Sequence, residues 1–204
     1  MTKPKLKWVK SARRHVRNLF REHKPEGAVY HDFRHTKEVV KSARRLAKGQ
    51  PLSKPQRIAL LLSAWFHDVG YVQGSVGHEA RSAQAAEVFL NDKEADPDFI
   101  HEVRGAILAT RLPQEPETLV EQILCDADLF HLGTRKFARR NVLLRKEIQS
   151  TTGLKVNKAE WLADSLALLR EHRYFTPYGR KKLQKGQRRN LKKLEAKQKE
   201  VPVA

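Results

Sequence analysis

Residues 60–66, LLLSAWF, form an almost unbroken apolar run. A segment that is apolar on nearly every side belongs at the centre of a domain, with other elements packed around it. The run ends in His67-Asp68, so the chain carries two ionisable groups to the edge of its own core. Elsewhere, apolar residues recur at spacings of three and four, and alternating Val, Ile and Thr between tight turns is nearly absent. Both features predict an all-α fold with 60–66 in its central helix.

The flanking segments can be read in the same way. A first helix runs from about Leu6 to His23, with Trp8, Val9, Ala12, Val16, Leu19 and Phe20 inward, and breaks before Pro25 and Gly27. A second covers about 34–48, and His35 sits one turn ahead of Val39 on its inward face. Ser53 as N-cap and Pro55 in the first turn open the central helix. Gly70, Gly74 and Gly77 form a loop before the helix HEARSAQAAEVFLND, and Asp96-Pro97 starts another that Pro113 and Pro116 close. ETLVEQILCDADLFHLG is expected to be one apolar helix ended by Gly133, followed by helices within 134–150 and 158–173.

With 204 residues, the chain is long enough to bury one sizeable core without cross-links. Its single cysteine, Cys125, excludes an internal disulfide framework and a cysteine-based zinc cluster, and fits a reducing, cytoplasmic compartment. No apolar run approaches the roughly 18–20 residues of a membrane helix, so no membrane span is expected. The basic, amphipathic start MTKPKLKWVKSARRHVRNLF lacks the apolar stretch of a secretory signal, which leaves an organellar-targeting or membrane-surface reading open. A net charge of +18 demands a strongly basic solvated surface. Residues 180–200 supply ten Lys and Arg against two Glu. The expected organisation is one helical domain over residues 1–180 and a basic tail, helical or disordered, over 181–204.

Four ionisable positions on apolar helices draw attention: His35, His67, Asp68, and Asp126 or Asp128 of CDADLFHLG. Imidazole and carboxylate together suit divalent transition metals, or Mg²⁺ where oxygen dominates. Any one of them alone is more often a satisfied core residue. Adjacent helical residues point about 100° apart, so His67 and Asp68 can serve one ion only at a helix end, which Gly70 is expected to supply.

HTKEVV, AWFHDVGY and CDADLFHLG, in that order, resemble the H…HD…D signature of the HD-domain superfamily of metal-dependent phosphohydrolases. YHDFRHT, GHEARSA, ILATRLPQEP and EWLADSLALLREHRYFTPY extend the resemblance over about residues 5–180 to one bacterial branch. In some relatives of that branch such a domain precedes a membrane-spanning Pycsar-type effector module. The resemblance implies a single HD-domain helical bundle with a divalent ion (Mn, Fe, Ni, Co or Mg) held by His35, His67, Asp68 and Asp128. It also implies hydrolysis of a phosphoester in a nucleotide or related phosphorylated small molecule. Asp128 is favoured because ADLFHL is similar to the ligand-bearing motif of the stringent-response nucleotide hydrolases. Asp128 also shares a face with Leu124, Cys125 and Leu132. Asp126 then either supports the ligands from behind or serves as an interior hydrogen-bond partner.

Asp68 doubles as acceptor for the proton of the attacking water, with Glu79 a second candidate for proton transfer. Arg111 stands where relatives carry Lys or Arg and, with His31, His78 and Arg81, makes up the candidate substrate-binding set; Arg135 is less distinctive. His31 belongs to YHDF, which resembles a YHN motif with Asp32 in place of the usual Asn. His78 and His101 fall where two-metal relatives place additional histidines, but the spacing matches less closely and one ion is expected. HRYFTPY brings His172, Tyr174 and Tyr178 either over the pocket or into an aromatic clasp of the last helix.

The charge supports a different function class, nucleic-acid binding through the basic N-terminal helix and the tail, although no known reader motif occurs. A nucleotide-sensing regulatory domain is a third reading. Two-iron oxygenation requires a six-ligand set that the sequence does not match.

Overall fold

The computed structural model describes residues 2–23 and 26–199. These form the helices α1 (Leu6–His23), α2 (Phe33–Leu46), α3 (Lys54–Phe66), α4 (His78–Asn91), α5 (Pro97–Leu108), α6 (Leu119–Asp128), α7 (Phe137–Thr152), α8 (Lys158–Glu171) and α9 (Gln184–Lys199). Short 3-10 turns cover Val69–Gln73 and Leu129–Gly133, and a π-helical turn, Gly179–Leu183, leads into α9. Thr2 and Ala95 make one isolated bridge, and no strand forms among the described residues. The fold is all-α, as the apolar spacing predicts. No described helix is long and apolar enough to cross a membrane.

The chain packs as two compact units. One takes in α1 and His31–Asp128, with α3 at its centre and α1, α2, α4, α5 and α6 against it. Leu60, Leu62, Ala64 and Phe66 are at most 1% exposed. Burying each large apolar side chain contributes about 1.5–3 kcal/mol. Local signals set the ends of these helices. Ser53 accepts from Gln56 N while the Gln56 side chain accepts from Ser53 N, a reciprocal cap that satisfies two donors at the start of α3. Asp96 caps α5 ahead of Pro97, and the Asp32 carboxylate caps α2 by accepting from His35 N at 2.8 Å.

The other unit takes in Glu26–Tyr30 and the chain from Leu129 on. Here the expectation of one helix running through to Gly133 is corrected: α6 stops at Asp128 and the backbone tightens into the 3-10 turn Leu129–Gly133. Remote side chains claim the carbonyls of that turn. Tyr174 Oη donates to Leu129 O at 3.1 Å and Asn190 Nδ2 to Leu132 O at 2.8 Å. Gly133 and Gly186 let α9 lie directly against the turn, because a Cβ on Gly186 would stand 1.8 Å from Gly133 O. Gln187 Nε2 fastens α9 further by donating to Leu169 O and His172 O, both at 2.8 Å. Within the stretch read as a tail, Gln184–Lys199 is therefore a packed helix, and residues 200–204 lie outside those described. Buried Glu147 accepts from Tyr30 N at 2.7 Å, and the Arg140 guanidinium lies 4.2 Å over the Tyr30 ring. His172 meets Tyr174 edge-on at 4.7 Å, and Tyr178 stacks with Phe130 at 6.4 Å, so within this unit HRYFTPY makes an aromatic clasp.

Candidate metal centre

Three helix segments of the α3-centred unit bring four ionisable side chains together. His35 comes from the first turn of α2, His67 and Asp68 from the end of α3, and Asp128 from the last residue of α6. His67 is still helical (φ −50°, ψ −33°), whereas Asp68 has left the helix (φ −113°, ψ 7°). That change of backbone lets two adjacent residues face one point, which a continuing helix would forbid. The helix thus ends before Gly70, and Gly70 serves a different need from the one expected. A Cβ there would lie 2.2 Å from His78 O and 3.0 Å from Arg81 Cβ, so glycine allows α4 to close onto the loop. Ser82 Oγ accepts from Gly70 N at 2.9 Å and fixes that approach.

The polar atoms converge closely. His35 Nε2 lies 3.2 Å from Asp68 Oδ2 and 3.3 Å from Asp128 Oδ1, and His67 Nε2 lies 3.1 Å and 3.6 Å from the same two oxygens. His35, His67 and Asp128 each present a ligand atom within 4.8 Å of the other two. Donors about 2.0–2.2 Å from a shared ion are themselves roughly 3.0–3.5 Å apart at right or tetrahedral angles. The His–Asp spacings of 3.1–3.6 Å are of that size, and His35, His67 and Asp128 together fit one coordination sphere, with Asp68 Oδ2 beside both histidines. His67 Nδ1 lies 3.0 Å from Ala64 O, and since a carbonyl can only accept, the proton is on Nδ1 and the Nε2 lone pair faces the cluster. His67 Nε2 and Asp68 Oδ2 are buried and make no hydrogen bond of good geometry. Buried polar atoms left so are costly unless something else satisfies them, and a cation would. The donor set of two imidazole nitrogens and two carboxylate oxygens suits a divalent transition metal.

Without an ion, protons take its place. Burial by itself lowers the His67 pKa, but Asp68 and Asp128 outweigh it and raise the value to about 10. His35 moves the same way: burial opposes its charge, and its contacts with Asp128 and Asp68 prevail. Burial pushes Asp68 and Asp128 up, yet the two histidines hold both carboxyls well below the usual range. The cluster is a place built for positive charge between two carboxylates.

The surrounding residues sort the remaining sequence candidates. Asp68 Oδ1 faces His78 Nε2 at 3.6 Å, and His78 Nδ1 lies 2.8 Å from Ser75 O and 3.4 Å from Glu79 Oε2. The His31 ring stacks on Tyr71 at 3.7 Å and meets His35 edge-on at 5.8 Å. Tyr71, 4.2 Å from the His78 ring, was not singled out in the sequence; the one signal for it is its place at the end of HDVGY. Arg81 directs its guanidinium to backbone carbonyls of the loop, Gly70 O at 3.2 Å, Val76 O at 2.6 Å and Gly74 O, so it clamps that loop. Arg111 is exposed in the turn after α5, and His101 is exposed on α5 itself. Asp126 is fully buried within α6. Cys125 donates to Ala109 O at 3.1 Å, and burial pushes its thiol pKa far up, which makes it an inert packing residue.

A family model described as HD domain matches residues 32–133, a span that runs from the α2 cap past Asp128. No curated protein sequence matches significantly. Among solved structures, the crystal structure of the Lin1889 protein from Listeria innocua is similar over 100% of this chain and 99% of that one, with a TM-score of 0.66 and 18% identity. At that identity the likeness concerns the fold.

Proposed function

The chain belongs to the HD domain family, part of a superfamily of metal-dependent phosphohydrolases, and from that premise we propose that it hydrolyses a phosphoester bond in a nucleotide or related metabolite. The observation that carries the reading is the cluster of His35, His67 and Asp128, each with a ligand atom within 4.8 Å of the other two, with Asp68 Oδ2 3.1–3.2 Å from both histidine Nε2 atoms. These four residues would hold one divalent ion. Such an ion, when bound, polarises a phosphoryl oxygen and acidifies a water.

The chain's own groups do the rest. Asp68 turns Oδ2 toward the histidine pair and keeps Oδ1 on the outer side, where it can receive the proton released by the attacking water. His78 supports that step. Its Nδ1 donates to Ser75 O at 2.8 Å, which turns Nε2 toward Asp68 Oδ1 at 3.6 Å, within reach of a proton received there. Glu79 stands behind His78, its Oε2 3.4 Å from His78 Nδ1, and helps to hold that ring in position. His31, packed between His35 and Tyr71, fixes the His35 ring. Arg111 supplies exposed positive charge for the phosphate.

Phosphate release from a panel of mono-, cyclic and dinucleotides by metal-loaded protein tests the reading. His67→Ala and Asp68→Ala are expected to abolish turnover. A loaded protein inert on the whole panel would overturn it.

A further inference from the structure

From Leu129 onward the sequence holds 20 Lys and Arg against six Asp and Glu, so fourteen of the chain's eighteen excess positive charges lie there. No acid occurs between Glu171 and Glu195. Within that interval α9 turns one face to solvent, where Lys185, Arg188, Arg189, Lys192 and Lys193 are exposed. Gly186, Gln187 and Asn190 on its other side are buried. Among the described residues none of these five cations makes an ion pair. Lys185 and Arg189, Arg188 and Lys192, and Arg189 and Lys193 are like charges one turn apart, a pattern that destabilises a helix on its own. The buried side holds them in place nonetheless, through Gln187 and through Asn190 Nδ2, which donates to Leu132 O and Thr134 O at 2.8 Å. The cations line a depression of about 620 Å³ along α9.

Further along the same helix, Leu194 and Lys197 border a second depression of about 570 Å³. Trp161, half-buried, lies in it, with Arg145, Lys146 and Lys158 around it. A half-buried indole in a depression lined by cations, beside a helix that carries a row of cations, matches a strand of phosphates with an unpaired base next to it.

We propose that α9 and the Trp161 depression form a binding surface for single-stranded nucleic acid, with the α9 cations along the phosphates and Trp161 stacked on a base. The proposal does not rest on the metal centre. An anionic membrane fits the surface less well, because apart from Ala196 the exposed residues of α9 itself are polar or charged, and the apolar groups beside them, Trp161 and Leu194 among them, lie recessed in a depression rather than on a projecting face. A duplex would use the cations and leave Trp161 without a base.

Fluorescence anisotropy of a labelled 15-nucleotide oligothymidylate with the full chain, over a series of NaCl concentrations, tests this. A 15-base-pair duplex and phosphatidylserine vesicles serve as parallel probes. Affinity should fall with salt. The combined variant Lys185→Gln, Arg188→Gln, Arg189→Gln, Lys192→Gln should bind at least tenfold more weakly, and its plot of log affinity against log salt should be flatter by up to about 3, since each phosphate contact on a single strand contributes about 0.7. Trp161→Ala should lose roughly 5- to 100-fold on the single strand, leave the salt slope unchanged and leave duplex affinity where it was. Circular dichroism checks that both variants keep their helix content, and Lys192→Gln alone gives a milder charge variant with a smaller loss in the same direction. Stripping metal should leave strand binding intact, which separates this test from that of hydrolysis. Equal binding by the wild type and the combined variant would overturn the proposal. So would a silent Trp161→Ala, or binding to duplex or vesicles without binding to the oligothymidylate.

Discussion

His67 shows how a single side chain is prepared for an ion. Its Nδ1 is tied to Ala64 O, and its Nε2 stands 3.1 Å from Asp68 Oδ2. In the metal-free protein a proton occupies that position. The His67 pKa, about 10 in the fold, lies above its ordinary 6.5, so the stabilisation it brings is complete below pH 6.5 and is lost as pH rises toward 10. Asp68 and Asp128 are shifted below their ordinary 3.8, so theirs is present above that value and lost as pH falls. Melting temperatures in the presence of a chelator should therefore show the largest advantage of wild type over His67→Gln between about pH 4 and 6.5. An advantage that grows from pH 6.5 to 9 would contradict the ion-pair account. Metal must displace those protons, so its affinity should rise with pH, and titration calorimetry in buffers of different ionisation enthalpy should register proton release. At the same scale, Asp128→Asn should empty the site in elemental analysis, whereas Asp126→Asn should retain metal. The sequence carried the residue types of this site and their order, but it could not tell which oxygen of Asp68 faces the histidines, because that depends on side-chain angles set by packing.

At the scale of elements, the site depends on how α3 ends and how α4 closes over that end. Gly70→Ala places a methyl group 2.2 Å from His78 O and should cost about 1–3 kcal/mol in urea unfolding. Because relief of that clash moves His78 away from Asp68 Oδ1, the same variant should also lose turnover while keeping its metal. Helix starts were legible because their causes are local: Ser53, Asp32 and Asp96 sit within three residues of the amides they cap. The stop at Asp128 was not. LFHL continues the apolar pattern of α6, and what converts it to a 3-10 turn is Tyr174 and Asn190, 45 and 58 residues further along the chain. The need for glycine at position 70 is hidden in the same way, since the clash that requires it comes from α4 and not from the residues beside it.

For the whole molecule, the four proposed ligands span residues 35 to 128, so an ion held by them ties the beginning of α2 to the end of α6. An ion that binds only the folded chain adds about 2.7 kcal/mol at a hundredfold excess over its Kd, and metal loading should raise the melting temperature in step with occupancy. All-α architecture and the central place of α3 were readable from apolar spacing alone. The contact of Tyr30 with Glu147, 117 residues apart, was not, because it depends on tertiary packing that no local pattern encodes. The measurement that tests the central claim most directly combines elemental analysis and phosphate release on one sample of wild type, His35→Ala and Asp128→Asn. The account predicts about one divalent ion per wild-type chain, hydrolysis that a chelator removes and added metal restores, and loss of both ion and hydrolysis in the two variants. Hydrolysis that survives the chelator, or a full complement of metal in both variants, would contradict it.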